Sequence, residues 1–149
     1  MEINKKPVRL LRVTIAAVLS ELIPLLVLVI VLTIWGYLAA PGDGVAIYES
    51  FAQQAGKYTG PIIGPLATLG LSFWAARNQT NAWLLHGTLT GVLVVILDLA
   101  IYASQATNSE PVFFIGLVAK LLAGILGGYL AQRRYQSLPP EARESHRII

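Results

Sequence analysis

The stretch GLVAKLLAGILGG, Gly116–Gly128, is an apolar run interrupted by a single charge, Lys120. Residues four apart share one face of a helix. Gly116, Lys120, Gly124 and Gly128 therefore form one stripe, with Ala123, Gly127 and Ala131 beside it. Lipid gives helices little hydrophobic reason to associate, so membrane helices pack through small residues at this spacing. The stripe is expected to face other helices, which turns Lys120 into a bundle and away from acyl chains.

The rest of the chain supports a membrane setting. Of 149 residues, 55% are hydrophobic and only 13% charged, and the mean hydropathy is +0.63. Soluble domains carry about twice that charge fraction. A bilayer core about 30 Å thick needs roughly 20 apolar residues per helix. Four segments meet that need, at about 10–38, 51–76, 82–103 and 112–131. The links between them, APGDG with YES, RNQTN, and SQATNSEP, are short and rich in turn formers. The expectation is an all-α polytopic bundle of four transmembrane helices occupying residues 1–136, followed by a short polar tail at 137–149.

Basic residues set the direction. Lys5, Lys6, Arg9 and Arg12 precede the first span, Arg77 lies in the middle link, and Arg133, Arg134, Arg143 and Arg147 follow the last. That puts nine of the 11 Lys and Arg residues on one side. The positive-inside rule then places both termini in the cytoplasm of a cell membrane. The opening NKKPVRLLR could begin a secretory signal, but a signal's apolar core is only about 7–15 residues long. Here the apolar stretch continues to Ala40 and contains Glu21 and Pro24, so an anchor helix is expected.

Three charges fall deep within the spans. At about 1.5 Å of rise per residue, Glu21 lies about 13 Å in, Lys120 about 20 Å and Asp98 about 25 Å. A charge at mid-membrane costs on the order of 2.5–3.5 kcal/mol and calls for a partner or water. The lysine lies in depth between the two acids, which predicts a Glu21–Lys120–Asp98 set inside the bundle or across subunits. The set carries one formal negative charge, so a proton on one carboxyl or a bound cation must balance it. That makes it a candidate proton or cation relay; the alternative is a structural ion pair fixing helix register.

Other features surround this set. Pro24, three residues after Glu21, cannot donate to the carbonyl of Ser20 and is expected to bend the first span. GPIIGP, residues 60–65, frees the carbonyls of Lys57 and Pro61. Two such losses predict a second helix kinked or broken around Gly60, Pro61, Gly64 and Pro65, unless Thr59, Thr68 or water satisfies the carbonyls. Unwound segments at this depth line cavities in many transporters. Gly87 and Gly91 give the third span its own packing face, and His86 with Thr90 shares a face near its inner end. His86 is a candidate proton shuttle, or a hydrogen-bonded packing residue.

The stretch AAVLSELIP, Ala16–Pro24, resembles the first helix of the small multidrug-resistance transporters, four-helix proteins with one membrane glutamate in that helix. The resemblance covers under a tenth of the chain and implies proton/drug antiport at Glu21. Lys120, Asp98 and the double-proline second span depart from that pattern.

Several classes find no support. The chain has no cysteine and two histidines, so no metal site, thiol chemistry or cofactor is expected. No P-loop, dinucleotide fingerprint, nucleophile elbow or zincin helix occurs, so no catalytic residue is assigned and an enzyme is not expected. The basic residues follow topology and form no aromatic-interleaved patch, so nucleic acid is not an expected partner. The expected partners are the lipid bilayer, further copies of the chain or other membrane subunits, and a small ion or solute. Two functions remain: a small channel or proton/cation-coupled transporter, or a non-transporting scaffold or accessory subunit.

Overall fold

The computed structural model describes residues 10–39, 42, 44–77, 82–104 and 111–139. Within them the chain forms four helices: α1 (Leu10–Leu38), α2 (Val45–Ala76), α3 (Trp83–Ser104) and α4 (Pro111–Gln136). Three of them, α1, α3 and α4, are long and apolar enough to cross a membrane. α2 is the longest at 32 residues, but Glu49, Gln53, Gln54 and Lys57 interrupt its first half. Lys5, Lys6, Arg9, Arg143 and Arg147 lie outside the described residues.

Helix ends follow local chemistry. Gly42 in the first link has φ 86°, a left-handed conformation open mainly to glycine. α2 then begins at Val45, six residues before the expected Phe51, because nothing between the two breaks a helix. α4 opens on Pro111, whose missing N–H is not needed in a first turn. It runs a turn beyond the expected end, with Arg133 and Arg134 complementing the dipole of its last turn.

The double proline does not interrupt α2. The helix is continuous from Val45 to Ala76 with Pro61 and Pro65 inside it, which corrects the expected break at Gly60–Pro65. Part of the support is tertiary: a Cβ on Gly116 would lie 3.6 Å from Pro61 Cα, so α4 packs directly on that residue. The hydroxyls of Thr59 and Thr68 donate to the carbonyls of Ala55 and Gly64, not to those the prolines release. α1 likewise continues through the buried Pro24. A Cβ added at Gly60 would meet no atom within 4 Å.

α4 packs mainly on α2 and α3, and α1 mainly on α2 with a smaller contact to α3. The helices thus run around the bundle in the order α1–α2–α4–α3. Two glycine seams join α4 to its neighbours. A Cβ on Gly87 would sit 2.5 Å from the Gly124 carbonyl oxygen and 2.6 Å from Gly128 Cα, and one on Gly124 would sit 2.7 Å from Gly91 Cα. Toward α2, a Cβ on Gly127 would be 2.7 Å from the Leu69 carbonyl oxygen. Real Cβ atoms do not approach so closely, so each of these positions requires hydrogen.

The core is confined to the half of the bundle nearest the chain termini. Val13, Ala16, Ala17, Ala75, Ala76, Val94 and Ala131 are buried there. No described residue from 25 to 63, from 95 to 103 or from 111 to 115 is buried. In that far half, aromatic contacts join the helices in pairs: Trp35 stacks on Phe51 at 4.2 Å between α1 and α2, and Tyr102 on Phe113 at 4.5 Å between α3 and α4. A cleft of about 400 Å³ lined by residues including Leu32, Gly36 and Tyr48 opens between α1 and the start of α2. The bundle is closed at one end and open at the other.

Candidate functional site

The border between the closed and open halves is where the buried charges lie. Lys120 leaves α4 and is 5% exposed. Its stem crosses Gly64 of α2, where an added Cβ would stand 2.5 Å from Lys120 Cε and 3.3 Å from Nζ. Beyond Gly64 the ammonium reaches both acids. Nζ donates to Glu21 Oε1 on α1 at 2.8 Å, and to Asp98 Oδ1 and Oδ2 on α3 at 2.9 and 2.7 Å. Each of the four helices supplies one element: an acid, a gap, an acid and a base.

The geometry answers the question that depth left open, since all three charges meet within one chain. An ammonium has three N–H donors, and three carboxylate oxygens surround this one. Two carboxylates that share one nitrogen at under 3 Å are themselves within about 6 Å, the range over which like charges act strongly on one another. Lys120 shields them from each other while one negative charge remains in excess. The acids are less enclosed than the base: the side chains of Glu21 and Asp98 keep 19% and 13% of their exposure, against 6% for Lys120.

Gly64 has a role that sequence did not suggest. It was expected as part of a helix break, yet the helix continues and the missing side chain is the channel for the lysine stem. Gly116, Gly124 and Gly128, on the same stripe of α4, hold the backbones close on either side of it. Pro24, Pro61 and Pro65 sit within intact helices near this level.

His86 stands apart from the three charges. Twelve residues separate it from Asp98 along α3, about 18 Å at helical rise. It is wholly buried, with Nδ1–H donating to the Ala82 carbonyl at 2.7 Å. A carbonyl can only accept, so the proton belongs on Nδ1. Thr90 Oγ1 donates to the His86 carbonyl at 2.9 Å. Among the described residues, no group of three His, Cys, Asp or Glu side chains is placed to hold a metal ion.

Two buried residues went unnoticed in the sequence. Ser20 adjoins Glu21, and Ser72 continues the stripe Gly56–Gly60–Gly64–Thr68 by one more step of four. Both are fully buried; the four-residue spacing was the signal that would have found Ser72. Comparison with protein-family models, with curated proteins and with solved structures gives no match.

Proposed function

We propose that the chain is a small multi-pass protein of the cell membrane that moves a proton or a monovalent cation through its own bundle. In this reading α2 is the fourth span, both termini are cytoplasmic, and the open half faces outward. Glu21 and Asp98 exchange the ion, and Lys120 is a counter-cation tied to the chain. The observation that carries the reading is the bridge from Lys120 Nζ to both acids at the floor of the open half.

The charge balance supplies a mechanism. With a proton on one carboxyl, the other carboxylate and the ammonium cancel. When that proton leaves, the excess negative charge attracts a cation from the open half. Proton and cation thus compete for one site, which couples their movements. Assembly as a homo-oligomer, or with other membrane subunits, fits a bundle whose far half buries so little.

Purified protein in lipid vesicles tests this. Wild type is expected to pass protons or a monovalent cation, and Glu21→Gln and Asp98→Asn to lose the flux while remaining folded. A wild type that passes neither ion favours a second reading, as a scaffold or accessory subunit. That alternative draws on the full set of acceptors around Lys120, the arrangement expected of a charge group that only fixes helix register. Under it the same substitutions alter stability or assembly alone.

A further inference from the structure

The four helices reach different heights on the open side. The charge set fixes a common level, because Glu21, Asp98 and Lys120 bond there and Gly64 lies against the lysine stem. At about 1.5 Å per residue, α3 continues about 9 Å past Asp98 and α4 about 14 Å past Lys120. α1 continues about 26 Å past Glu21, and α2 about 28 Å past Gly64. The α1–α2 pair thus stands about 12 Å or more above the ends of α3 and α4. With its 22 residues α3 is about 33 Å long, just enough for a hydrocarbon core of about 30 Å. What projects past its end has left the hydrocarbon.

Inside lipid an apolar side chain gains little from meeting another; outside it, water drives such burial. α1 carries an apolar flank into that region. Leu28 and Trp35 face α2. On the opposite side of α1, Ile23, Leu26, Ile30, Thr33 and Tyr37 are all exposed. Their spacing alternates between three and four residues, the a and d positions of a heptad. Isoleucine at a with leucine at d, as in Ile23, Leu26 and Ile30, favours a parallel pairing of two strands. Thr33 Oγ1 donates to the Val29 carbonyl at 2.8 Å, so its hydroxyl enters such a seam already bonded. The cleft between α1 and α2 borders the seam at Thr33 and Tyr37.

Symmetry selects the occupant. Copies inserted in one direction are related by an axis along the membrane normal, so each flank meets the same flank of its neighbour. From Leu22 to Leu38 α1 has no charged residue, and this flank can meet itself without repulsion. The projecting part of α2 exposes Glu49, which the same axis would set against its own copy.

We infer that the heptad flank of α1 is a homodimer interface, a parallel α1–α1 seam held by its upper part from Ile30 to Tyr37. The inference rests on the membrane placement proposed above and names the surface through which the chain assembles. Each charge set stays within its own bundle, so the seam holds whether or not ions pass.

The chain contains no cysteine, so full-length protein in its native membrane can carry one at a time. Under a mild oxidant, Thr33→Cys and Tyr37→Cys are expected to give a disulfide-linked product of twice the chain mass. That bond needs Cα atoms within about 7 Å, and Gln53→Cys on α2 is expected to give on the order of tenfold less product. Adding Tyr37→Glu to Thr33→Cys sets like charges across the seam and is expected to cut its product on the order of tenfold, with helix content unchanged. Placement is read separately. Glu49→Cys, about 22 Å past Gly64, is expected to react with a membrane-impermeant maleimide outside intact cells. No reaction there overturns the placement beneath the inference. Reaction there with no dimer at Thr33 or Tyr37 overturns the seam alone. A Gln53 product as abundant as that at Tyr37, or a product whose mass reveals a different protein, overturns it as well.

Discussion

The two halves of this bundle are built from the same four helices and obey different packing rules. In the closed half, backbones touch at Gly87, Gly91, Gly124 and Gly128, and the enclosed side chains are small or polar. In the open half the side chains are large and apolar, among them Leu25, Leu26, Ile30 and Ile34, and none is buried. The difference teaches that apolar bulk does not close a bundle in lipid, because lipid solvates leucine as well as another leucine does. Closure comes from removing side chains and letting backbones meet. The charges sit where one regime gives way to the other.

The largest effect should come from removing the charge that holds the border together. Lys120→Met leaves two carboxylates without their cation, and unfolding in mild detergent should show a loss of about 3 kcal/mol, the lower end for breaking a buried pair. Stability unchanged by this substitution would mean that the three contacts contribute nothing net. Gly124→Ala comes next. Its Cβ would meet Gly91 Cα at 2.7 Å, and overpacking of this kind costs about 1–3 kcal/mol. Gly64→Ala should cost less, about 1 kcal/mol, because the atom it meets belongs to a flexible side chain that can move aside. Ion flux should suffer more than stability there, since the displaced stem carries the ammonium away from the acids.

The smallest effects belong to the open half. Gly60→Ala meets nothing within 4 Å, so better helix propensity should stabilise the protein by about 0.5–1 kcal/mol. The opposite signs expected at Gly124 and Gly60 make that pair the sharpest probe of the contrast between halves. Leu25→Ala, at an exposed position, should change stability by no more than about 0.5 kcal/mol. A cost of several times that at Leu25 would show that the open half is covered by another subunit.

How much of this could be read in the sequence depended on the physics involved. The apolar runs were plain because the bilayer demands a fixed length of hydrocarbon from each crossing. The start of α2 was obscured, since Tyr48, Glu49 and Ser50 hide a helical turn behind polar composition. Depth along a helix follows from counting residues, so Glu21, Lys120 and Asp98 could be ranked by level. Their meeting could not be read, because level says nothing about which helices are neighbours. The break expected at the prolines is absent for a related reason: the local rule counts lost hydrogen bonds and omits the contact α4 makes at Gly116. Ser72 was passed over because a lone serine in an apolar run has no signature beyond its spacing.

The tether on Lys120 has a consequence for whatever visits the acids. A cation fixed to the polypeptide is present at that spot at an effective concentration in the millimolar range or above, independent of what the medium holds. On the transport reading, an ion reaching the acids competes with this resident cation for the same carboxylate oxygens. Between visitors each acid still keeps a bond to the ammonium, so only the one excess charge of the set is left to be balanced.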